Sequence, residues 1–390
     1  MTKYSARQLQ DGAVSFFGAC DFDERRDGIS PRRLPAWTRQ QIPQALDAML
    51  RMPSGVRMAF TTDSREIRLS VQTTKLTTPP QPARPVVFDL VADDTTQVRS
   101  SASDRGNTIL MNRNDPTQFE LVRGDAYEVI FDNLGAGAKR CELWLPHNAY
   151  VEIRGLEIDA GASLTPRPIP QDNRWIHYGS SISHCMEAAQ PTGTWPAVAA
   201  RLAGMHLSSL GFGGQCHLDQ FVARTIRDAD ADVISIKAGI NVINMDSMRE
   251  RVFTPALHGF LDTIREGKPH TPIVVVSPIY CPCAEHHPGP TVPNAAGKFV
   301  TLPGHEAIQS GCLTLTRVRE IIAEVVDGRQ RAGDTHLFYL NGLELFGAAD
   351  AGDLPDDLHP NPAGYARMGQ RFSQQVFSAA GLNLKTPFFH

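Results

Sequence analysis

The stretch "IHYGSSISHC", Ile176 to Cys185, is an apolar run that ends in glycine and is followed at once by two serines, a histidine and a cysteine. An apolar run with a β-branched residue before a glycine is typical of a buried strand that leaves its sheet in a tight turn. Ligands of open α/β sheets bind beyond the carboxyl ends of the strands. Ser180 and Ser181 are therefore candidate nucleophiles, and the alternative is an ordinary polar turn or a helix cap.

The same pattern recurs through the second half of the chain, where apolar runs of strand length alternate with segments of helical periodicity. The runs are "RWIHYG", "HLSSLGF", "DVISIKAG", "PIVVVSP" and "HLFYLNG". The helical segments between and around them include "TWPAVAARLAG", "LDQFVARTIRD" and "CLTLTRVREIIAEVVDG". This alternation predicts an α/β domain with a doubly wound, mostly parallel sheet of flavodoxin-like type.

Up to about residue 160 the pattern is different, with short runs that alternate apolar and polar residues. In "GVRMAFTTDSREIRLSVQT" (55–73), Ile67, Leu69 and Val71 share one face of the second predicted strand. Regularly spaced short strands predict an antiparallel, jelly-roll-like β-sandwich. The prolines of "SLTPRPIPQDN" then predict a stiff linker. We therefore predict a sandwich domain over 1–163, a linker over 164–171 and a catalytic domain over 172–390.

Composition restricts the class of protein. The chain has 390 residues, 42% hydrophobic and 21% charged, which is typical of a globular protein with about two domains. A net charge of −4 with scattered basic residues gives no expectation of nucleic-acid or membrane binding. The N-terminus shows no signal-peptide core, so we expect a cytoplasmic protein. Seven cysteines form an odd, sparse set that favours reduced thiols over a disulfide framework.

Three further predicted strand ends or helix starts carry chemically useful groups. They are "GFGGQ" (211–215), "AGIN" (238–241) and "LPDDLHPNPAGY" (354–365). Asp356 and His359 lie three residues apart, so a single turn brings the carboxylate to the imidazole. A hydroxyl, an Asp/His pair, glycine amides and an Asn side chain are the groups that acyl transfer needs. The Gly-x-Ser-x-Gly pattern of α/β-hydrolases is not met, because "GSSIS" lacks the second glycine.

These four blocks, in this order, resemble those of the SGNH/GDSL hydrolase superfamily over residues 172–385. By that resemblance "YGSSIS" carries the nucleophile, Ser181, while "DDLHPN" carries the base His359 and its orienting carboxylate Asp356. The resemblance implies an acyl-serine intermediate and no metal or redox cofactor. One departure is clear: the superfamily usually has Gly-Asp-Ser, whereas Ser180 stands here in place of the aspartate.

The resemblance also implies an oxyanion hole. In "LGFGGQ" the best match for the donating glycine amide is Gly214, with Gly211 and Gly213 as rivals. In "AGIN" the donor is the side chain of Asn241, and the Ser181 amide joins these two. The alternatives are purely structural roles: Gly214 as a glycine required by a turn, and Asn241 as a helix cap.

The whole chain, including "GISPRRLP" (28–35) and "WLPHNA" (144–149), resembles an actinobacterial GDSL branch with an N-terminal β-sandwich. That branch includes a salicylyl acyltransferase of tetracycline-type polyketide tailoring, and most of its members are described as lipases or esterases. The resemblance implies either acyl transfer from a thioester such as acyl-CoA to a natural-product hydroxyl, or ester hydrolysis. The alternative is a carbohydrate-binding protein with an inactive SGNH domain.

Two groups of reactive side chains are expected to be structural. His184 and Cys185 are neighbours in sequence, which does not by itself supply the geometry of a Cys–His nucleophile, so we expect them to line a pocket wall or the core. "CPCAEHH" (281–287) has a Cys-x-Cys spacing that zinc sites rarely use. We expect it to be a loop after the "PIVVVSP" strand that flanks the active site.

Overall fold

A computed structural model describes residues 1–93, 98–112, 115, 118–304, 306–379 and 381. The last residues of the predicted catalytic domain, 382–390, lie outside the described residues. The chain forms two compact units. The first comprises Met1–Arg39, Asp47–Ile169 and Ala189–Thr192, and the second comprises Gln40–Leu46, Pro170–Ala188 and the chain from Gly193 onward.

The first unit is built from short strands and two short helices, α1 (Ala6–Gln8) and α2 (Gln44–Leu50), the second of which continues into the other unit. The strands are β1 (Thr2–Ser5), β2 (Ser15–Phe17), β3 (Asp21–Glu24), β4 (Ile29–Arg32), β5 (Arg57–Thr62), β6 (Ile67–Thr77), β7 (Val86–Ala92), β8 (Val98–Ser103), β9 (Asn107–Met111), β10 (Phe119–Val122), β11 (Tyr127–Phe131), β12 (Lys139–Trp144), β13 (Ala149–Ile158) and β14 (Leu164–Pro166). Strand β14 lies inside the predicted linker and pairs with β5.

Among the described residues, these strands form two sheets. One has the order β10-β9-β6-β13-β4-β3, with β1 on β13 and β11 on β6. The other has the order β14-β5-β12-β7-β8, with β2 on β5. The pairing is antiparallel except between β6 and β9. Leu69 and Val71 of β6 are buried in one core with Phe60 of β5 and Phe88 of β7, so both sheets contribute to it. The predicted sandwich is confirmed.

The second unit alternates strands and helices along the chain. Its strands are β15 (Arg174–Gly179), β16 (His206–Gly211), β17 (Val233–Lys237), β18 (Ile273–Val276), β19 (Thr291–Pro293), β20 (Phe299–Thr301) and β21 (Leu337–Leu340). Its helices are α3 (Ser181–His184), α4 (Trp195–Ala203), α5 (Gln220–Asp228), α6 (Ile240–Asn244), α7 (Glu250–Gly267), α8 (Leu315–Arg331), α9 (Gly342–Leu345) and α10 (Pro362–Phe377). In the described part of the chain, no helix combines the length and apolar character needed to cross a bilayer.

The main sheet of this unit is parallel, with the order β16-β15-β17-β18-β21. This is the flavodoxin-like order, and it confirms the predicted fold class. Helices cover both faces of the sheet. Trp175 of β15 stacks on Phe372 of α10 with ring centroids 5.1 Å apart, whereas Tyr178 of the same strand stacks on Phe260 of α7 at 5.2 Å.

The strand order reverses between β15 and its two neighbours, because the chain first adds β16 on one side and then β17 on the other. At such a switch point the connections leave in opposite directions and open a crevice at the carboxyl ends of the strands. The segments after β15, β16 and β17 carry Ser181, Gly214 and Asn241 respectively. The topology alone therefore directs all three predicted blocks to one edge of the sheet.

Candidate active site

The nucleophile candidate sits at the first position of α3, immediately after the sheet. Gly179 ends β15, and a Cβ atom there would lie 2.3 Å from the Ser183 hydroxyl oxygen, so only glycine allows this turn. The Ser180 carbonyl accepts hydrogen bonds from the N–H groups of Ser183 and His184, each at 3.0 Å. These bonds fix the single helical turn that presents Ser181.

Ser181, His359 and Asp356 form a continuous chain of hydrogen bonds. The Ser181 Oγ lies 2.9 Å from His359 Nε2, and His359 Nδ1 lies 2.7 Å from Asp356 Oδ2. An ionised carboxylate can only accept, so Nδ1 carries the proton and Nε2 accepts from the serine hydroxyl. The structure thus brings together the three residues that sequence reasoning named for the nucleophile, base and orienting roles.

The Asp356 carboxylate is held in its ionised form. Burial raises the pKa of this carboxyl. Hydrogen bonds from His359 and the backbone, together with the charge of His359, lower it by more, so the pKa lies below its usual value. Its second oxygen, Oδ1, accepts the backbone N–H groups of Leu358 at 3.0 Å and His359 at 2.6 Å. The carboxylate is therefore fixed in orientation as well as in charge.

Asn241 lies in the first turn of α6 with 2% of its surface exposed. Its Oδ1 accepts the Cys216 backbone N–H at 3.0 Å. Because a backbone N–H must face an oxygen, this bond fixes the amide orientation and leaves the Nδ2 group free to donate. The helix is capped by Gly239, whose φ is +118°; a Cβ atom there would lie 2.4 Å from Val318 Cγ1, so this position requires glycine.

The glycine block supplies a second amide. Gly214 has a φ of +69°, and within the described part of the chain neither its N–H nor that of Ser181 donates to a protein group. The rival Gly211 has a different reason to be glycine, since a Cβ there would lie 2.6 Å from the His184 nitrogen. Both N–H groups are therefore able to donate to a ligand, and their role as oxyanion donors stays a prediction.

Ser180, the departure from the superfamily pattern, is fully buried. Its hydroxyl oxygen has no hydrogen-bond partner among the residues that the structure describes. His184 is also buried, with Nδ1 3.2 Å from the Gly211 carbonyl. Burial raises the pKa of the Cys185 thiol well above its usual value, and its Sγ donates to the Ile182 carbonyl at 3.1 Å. Ser180, His184 and Cys185 therefore belong to the core beneath the nucleophile.

Sequence reasoning missed a polar chain under α3. His177 is buried between two serine hydroxyls, with Nδ1 2.7 Å from Ser235 Oγ and Nε2 2.7 Å from Ser183 Oγ. The Trp175 indole donates to Ser235 at 2.8 Å. Burial, with a contribution from Lys237, lowers the pKa of His177 to about 3, so the ring is neutral. The signal was present in the alternation Trp175–His177, which places both side chains on one face of β15.

The Cys281–His287 loop follows β18 and supports the Asp356–His359 loop. The Cys281 and Cys283 thiols lie 3.6 Å and 3.8 Å from the carbonyls of Leu358 and Asp357. Burial raises the pKa of the Cys283 thiol to about 11, which keeps it a protonated donor. The geometry agrees with the expectation that the Cys281–His287 loop flanks the active site.

A β19–β20 hairpin adds a second support and one wall of a cavity. The Phe299 N–H donates to the Asp356 carbonyl at 2.9 Å, and the Phe299 ring meets the His359 imidazole edge-on at 5.7 Å. A cavity of about 630 Å³ is lined in part by Phe299, Val300 and Thr301 of this hairpin and reaches Asp357. Its apolar lining is Pro282, Pro288, Phe299, Val300, Leu302 and Pro303.

With this geometry in place, similarity to known proteins identifies the fold. Residues 177–367 match the GDSL-like Lipase/Acylhydrolase family, and residues 14–153 match the SsfX3 N-terminal domain family. The chain carries a GDSL-type acylhydrolase domain after an SsfX3-type N-terminal domain. It is an SGNH-type acyltransferase or esterase.

Solved structures show the same architecture. The salicylyl-acyltransferase SsfX3 from a tetracycline biosynthetic pathway is 28% identical, with a TM-score of 0.78 and 96% of each chain covered. A GDSL-like lipase from Bacteroides ovatus is 20% identical with a TM-score of 0.67, covering 95% of each chain. A family two carbohydrate esterase from Clostridium thermocellum is 14% identical with a TM-score of 0.59, covering 93% of this chain and 98% of its own. No curated protein sequence matches the chain.

Proposed function

We propose that this enzyme transfers an acyl group through a covalent intermediate on Ser181. The observation that carries the proposal is the unbroken Asp356–His359–Ser181 hydrogen-bond chain. A serine hydroxyl is a weak nucleophile at neutral pH and needs an adjacent oriented base. Here the base is within hydrogen-bond reach, and a carboxylate fixes its tautomer.

In the first step Ser181 Oγ attacks the carbonyl carbon of an ester or thioester while His359 Nε2 takes the hydroxyl proton. The tetrahedral intermediate then collapses, the bond to the leaving oxygen or sulfur breaks, and His359 returns the proton to that atom. In the second step an acceptor hydroxyl gives its proton to His359 and attacks the acyl carbon. Ser181 leaves and recovers the proton, so the enzyme returns to its starting state.

Charge that develops on the carbonyl oxygen is stabilised by the Asn241 amide and the N–H groups of Gly214 and Ser181. The bond from Cys216 holds the Asn241 amide before substrate arrives. Donors that need no reorganisation at the moment of reaction are the most effective kind. Two backbone amides and one side-chain amide thus form the proposed oxyanion hole.

The proposed donor is an aryl thioester such as an acyl-CoA, and the proposed acceptor is a hydroxyl on a natural product, as in antibiotic biosynthesis. Similarity to the salicylyl-acyltransferase over 96% of the chain supports transfer. All seven cysteines are unpaired, which supports a cytoplasmic location, where thioester donors are made. Ester hydrolysis is the second candidate, because water can replace the acceptor. The connected triad is evidence against an inactive binding protein.

A fluorophosphonate probe followed by peptide mass spectrometry tests the nucleophile. We expect one adduct on Ser181, abolished in Ser181→Ala and slowed by several orders of magnitude in His359→Ala. Labelling on another residue, or equal labelling of Ser181→Ala, would refute the mechanism.

Salicylyl-CoA, with and without a polycyclic phenol or alcohol acceptor, separates the two activities. A transferase forms the acceptor ester and releases CoA faster when the acceptor is present. A hydrolase releases CoA at a rate the acceptor does not change and forms salicylate alone. Ser181→Ala provides the background rate for both reactions.

A further inference from the structure

Two wall residues of the cavity at the β19–β20 hairpin define its position relative to His359. Phe299 contributes to its wall and also packs against the His359 ring. Asp357, another wall residue, directly precedes Leu358 and His359 in the chain. Phe299 is therefore shared between the cavity wall and the contact with the imidazole, and Asp357 places the wall at the loop that carries His359.

The chemistry assigns an occupant to the imidazole side. His359 protonates the leaving oxygen or sulfur in the first step and deprotonates the acceptor hydroxyl in the second, so that atom must lie within hydrogen-bond reach of Nε2. The substituent on that atom consequently extends past the imidazole. The acyl chain is attached to the carbonyl carbon, whose oxygen is held by the oxyanion donors, and it extends elsewhere.

The size and lining of the cavity indicate what kind of acceptor group would fit it. A volume of about 630 Å³ is in the range of sites for drug-sized molecules. Val300 and Leu302 are 37% and 42% exposed, and large apolar side chains exposed together beside a site are typical of a binding surface. The charge at Asp357 is already paired with Lys298 Nζ at 3.1 Å, and the Thr301 hydroxyl donates to the Cys283 carbonyl.

We propose that this cavity is the acceptor subsite, and that it selects bulky, ring-bearing apolar alcohols over small ones. The proposal rests on the acyl-serine mechanism above. It predicts that acyl-Ser181 is divided between water and alcohol according to the size of the alcohol. It also predicts that the side chains of Val300 and Leu302, which line the cavity, control this division.

The test uses p-nitrophenyl benzoate as donor and ethanol, benzyl alcohol or 2-naphthylmethanol as acceptor at equal concentration. The measured quantity is the ratio of benzoate ester to benzoic acid, determined by chromatography. For the wild-type enzyme we expect this ratio to rise at least about tenfold from ethanol to 2-naphthylmethanol, as apolar pockets discriminate by such factors.

Val300→Trp fills the cavity and should lower the 2-naphthylmethanol ratio to about that of ethanol, a much larger loss than it causes with ethanol. Val252→Trp is the matched control, since Val252 is 53% exposed on α7 and does not line the cavity. Leu302→Ala, a smaller change, should reduce the ratio in the same direction. A second donor, p-nitrophenyl acetate, should give the same dependence on the alcohol.

An unchanged ratio in Val300→Trp and Leu302→Ala, equal losses with all alcohols, or an effect that follows the donor's acyl group would each overturn the proposal. In those cases mass spectrometry still finds acylated Ser181, so the acyl-serine mechanism survives. Failure of the mechanism is seen differently: nitrophenolate release then equals that of Ser181→Ala. That result would overturn both.

Discussion

Replacing Asp356 by asparagine tests the proposed triad most sharply, because the backbone determines how the new amide must sit. In the wild-type protein Oδ1 accepts two N–H groups, those of Leu358 and His359, while Oδ2 accepts the proton on His359 Nδ1. Asparagine has one oxygen and one NH2 group for these two positions. Facing the NH2 group toward the backbone would leave two donors unpaired.

Each buried unsatisfied donor costs about 1–3 kcal/mol, so the orientation with oxygen toward the backbone is favoured by at least about 2 kcal/mol. The NH2 group then faces His359 Nδ1, which must accept. The proton of the neutral imidazole moves to Nε2, and the ring can no longer take the proton of Ser181. A wrong tautomer at an unchanged geometry costs about 10⁴ in kcat, equivalent to about 5.5 kcal/mol in the activation barrier.

The assay is kcat/KM for p-nitrophenyl acetate together with the rate of fluorophosphonate labelling at Ser181. Both should fall by about the same large factor, since both need the base. Asp327→Asn is the matched control, because Asp327 is an exposed residue of α8 paired with Arg331. An Asp356→Asn enzyme that folds and keeps more than about a tenth of the wild-type rate would refute the reasoning.

Three further outcomes are expected. Asn241→Ala should lower kcat by about 10²–10³ while the phosphonate still labels Ser181, because one oxyanion donor is lost; kcat for p-nitrophenyl acetate checks this. Ser180→Ala should retain activity and unfold at the same or higher urea concentration, because its buried hydroxyl has no partner in the described part of the chain; a loss like that of Ser181→Ala would contradict the assignment. His177 has a folded-state pKa of about 3 against 6.5 unfolded, so the unfolded chain binds the extra proton between those values and stability falls as pH falls from 6.5 toward 3. The free energy of unfolding in urea should lose up to about 5 kcal/mol over this window, and His177→Gln should lose less.

Much of the fold could be predicted from the sequence, because it depends on local patterns. Alternation in β6 placed Ile67, Leu69 and Val71 in the sandwich core, where the structure buries them. The alternation of apolar strand-length runs with helical segments predicted the parallel sheet. Reasoning from strand ends and helix starts also singled out the two serines and His359, and the family resemblance selected Ser181, whose Oγ lies within hydrogen-bond distance of His359 although 178 residues separate them.

The remainder depended on contacts that no local pattern records. The β14 strand lies in the proline-rich segment that predicted a linker, because the sheet edge at β5 accepts a short extended segment. The β19–β20 hairpin is only three residues long on each side, too short for periodicity to show. The sequence pattern around Phe299 therefore did not indicate that its ring packs on His359. The burial of the Ser180 hydroxyl likewise depends on what packs over it.

The candidate site is held from below by residues outside the four motif blocks, and this explains how such short blocks can be precise. His177 and Ser235 anchor the helix that carries Ser181, and the Cys216 N–H fixes the Asn241 amide. Cys281, Cys283 and the Phe299 N–H together bond three successive carbonyls, those of residues 356–358. Groups locked by buried hydrogen bonds lose little freedom when the transition state forms, which is the condition for strong electrostatic stabilisation. We therefore expect activity to be sensitive to substitutions at these anchoring residues as well as at the motif residues. The anchoring residues should affect kcat because they position the reacting groups, although they do not react themselves.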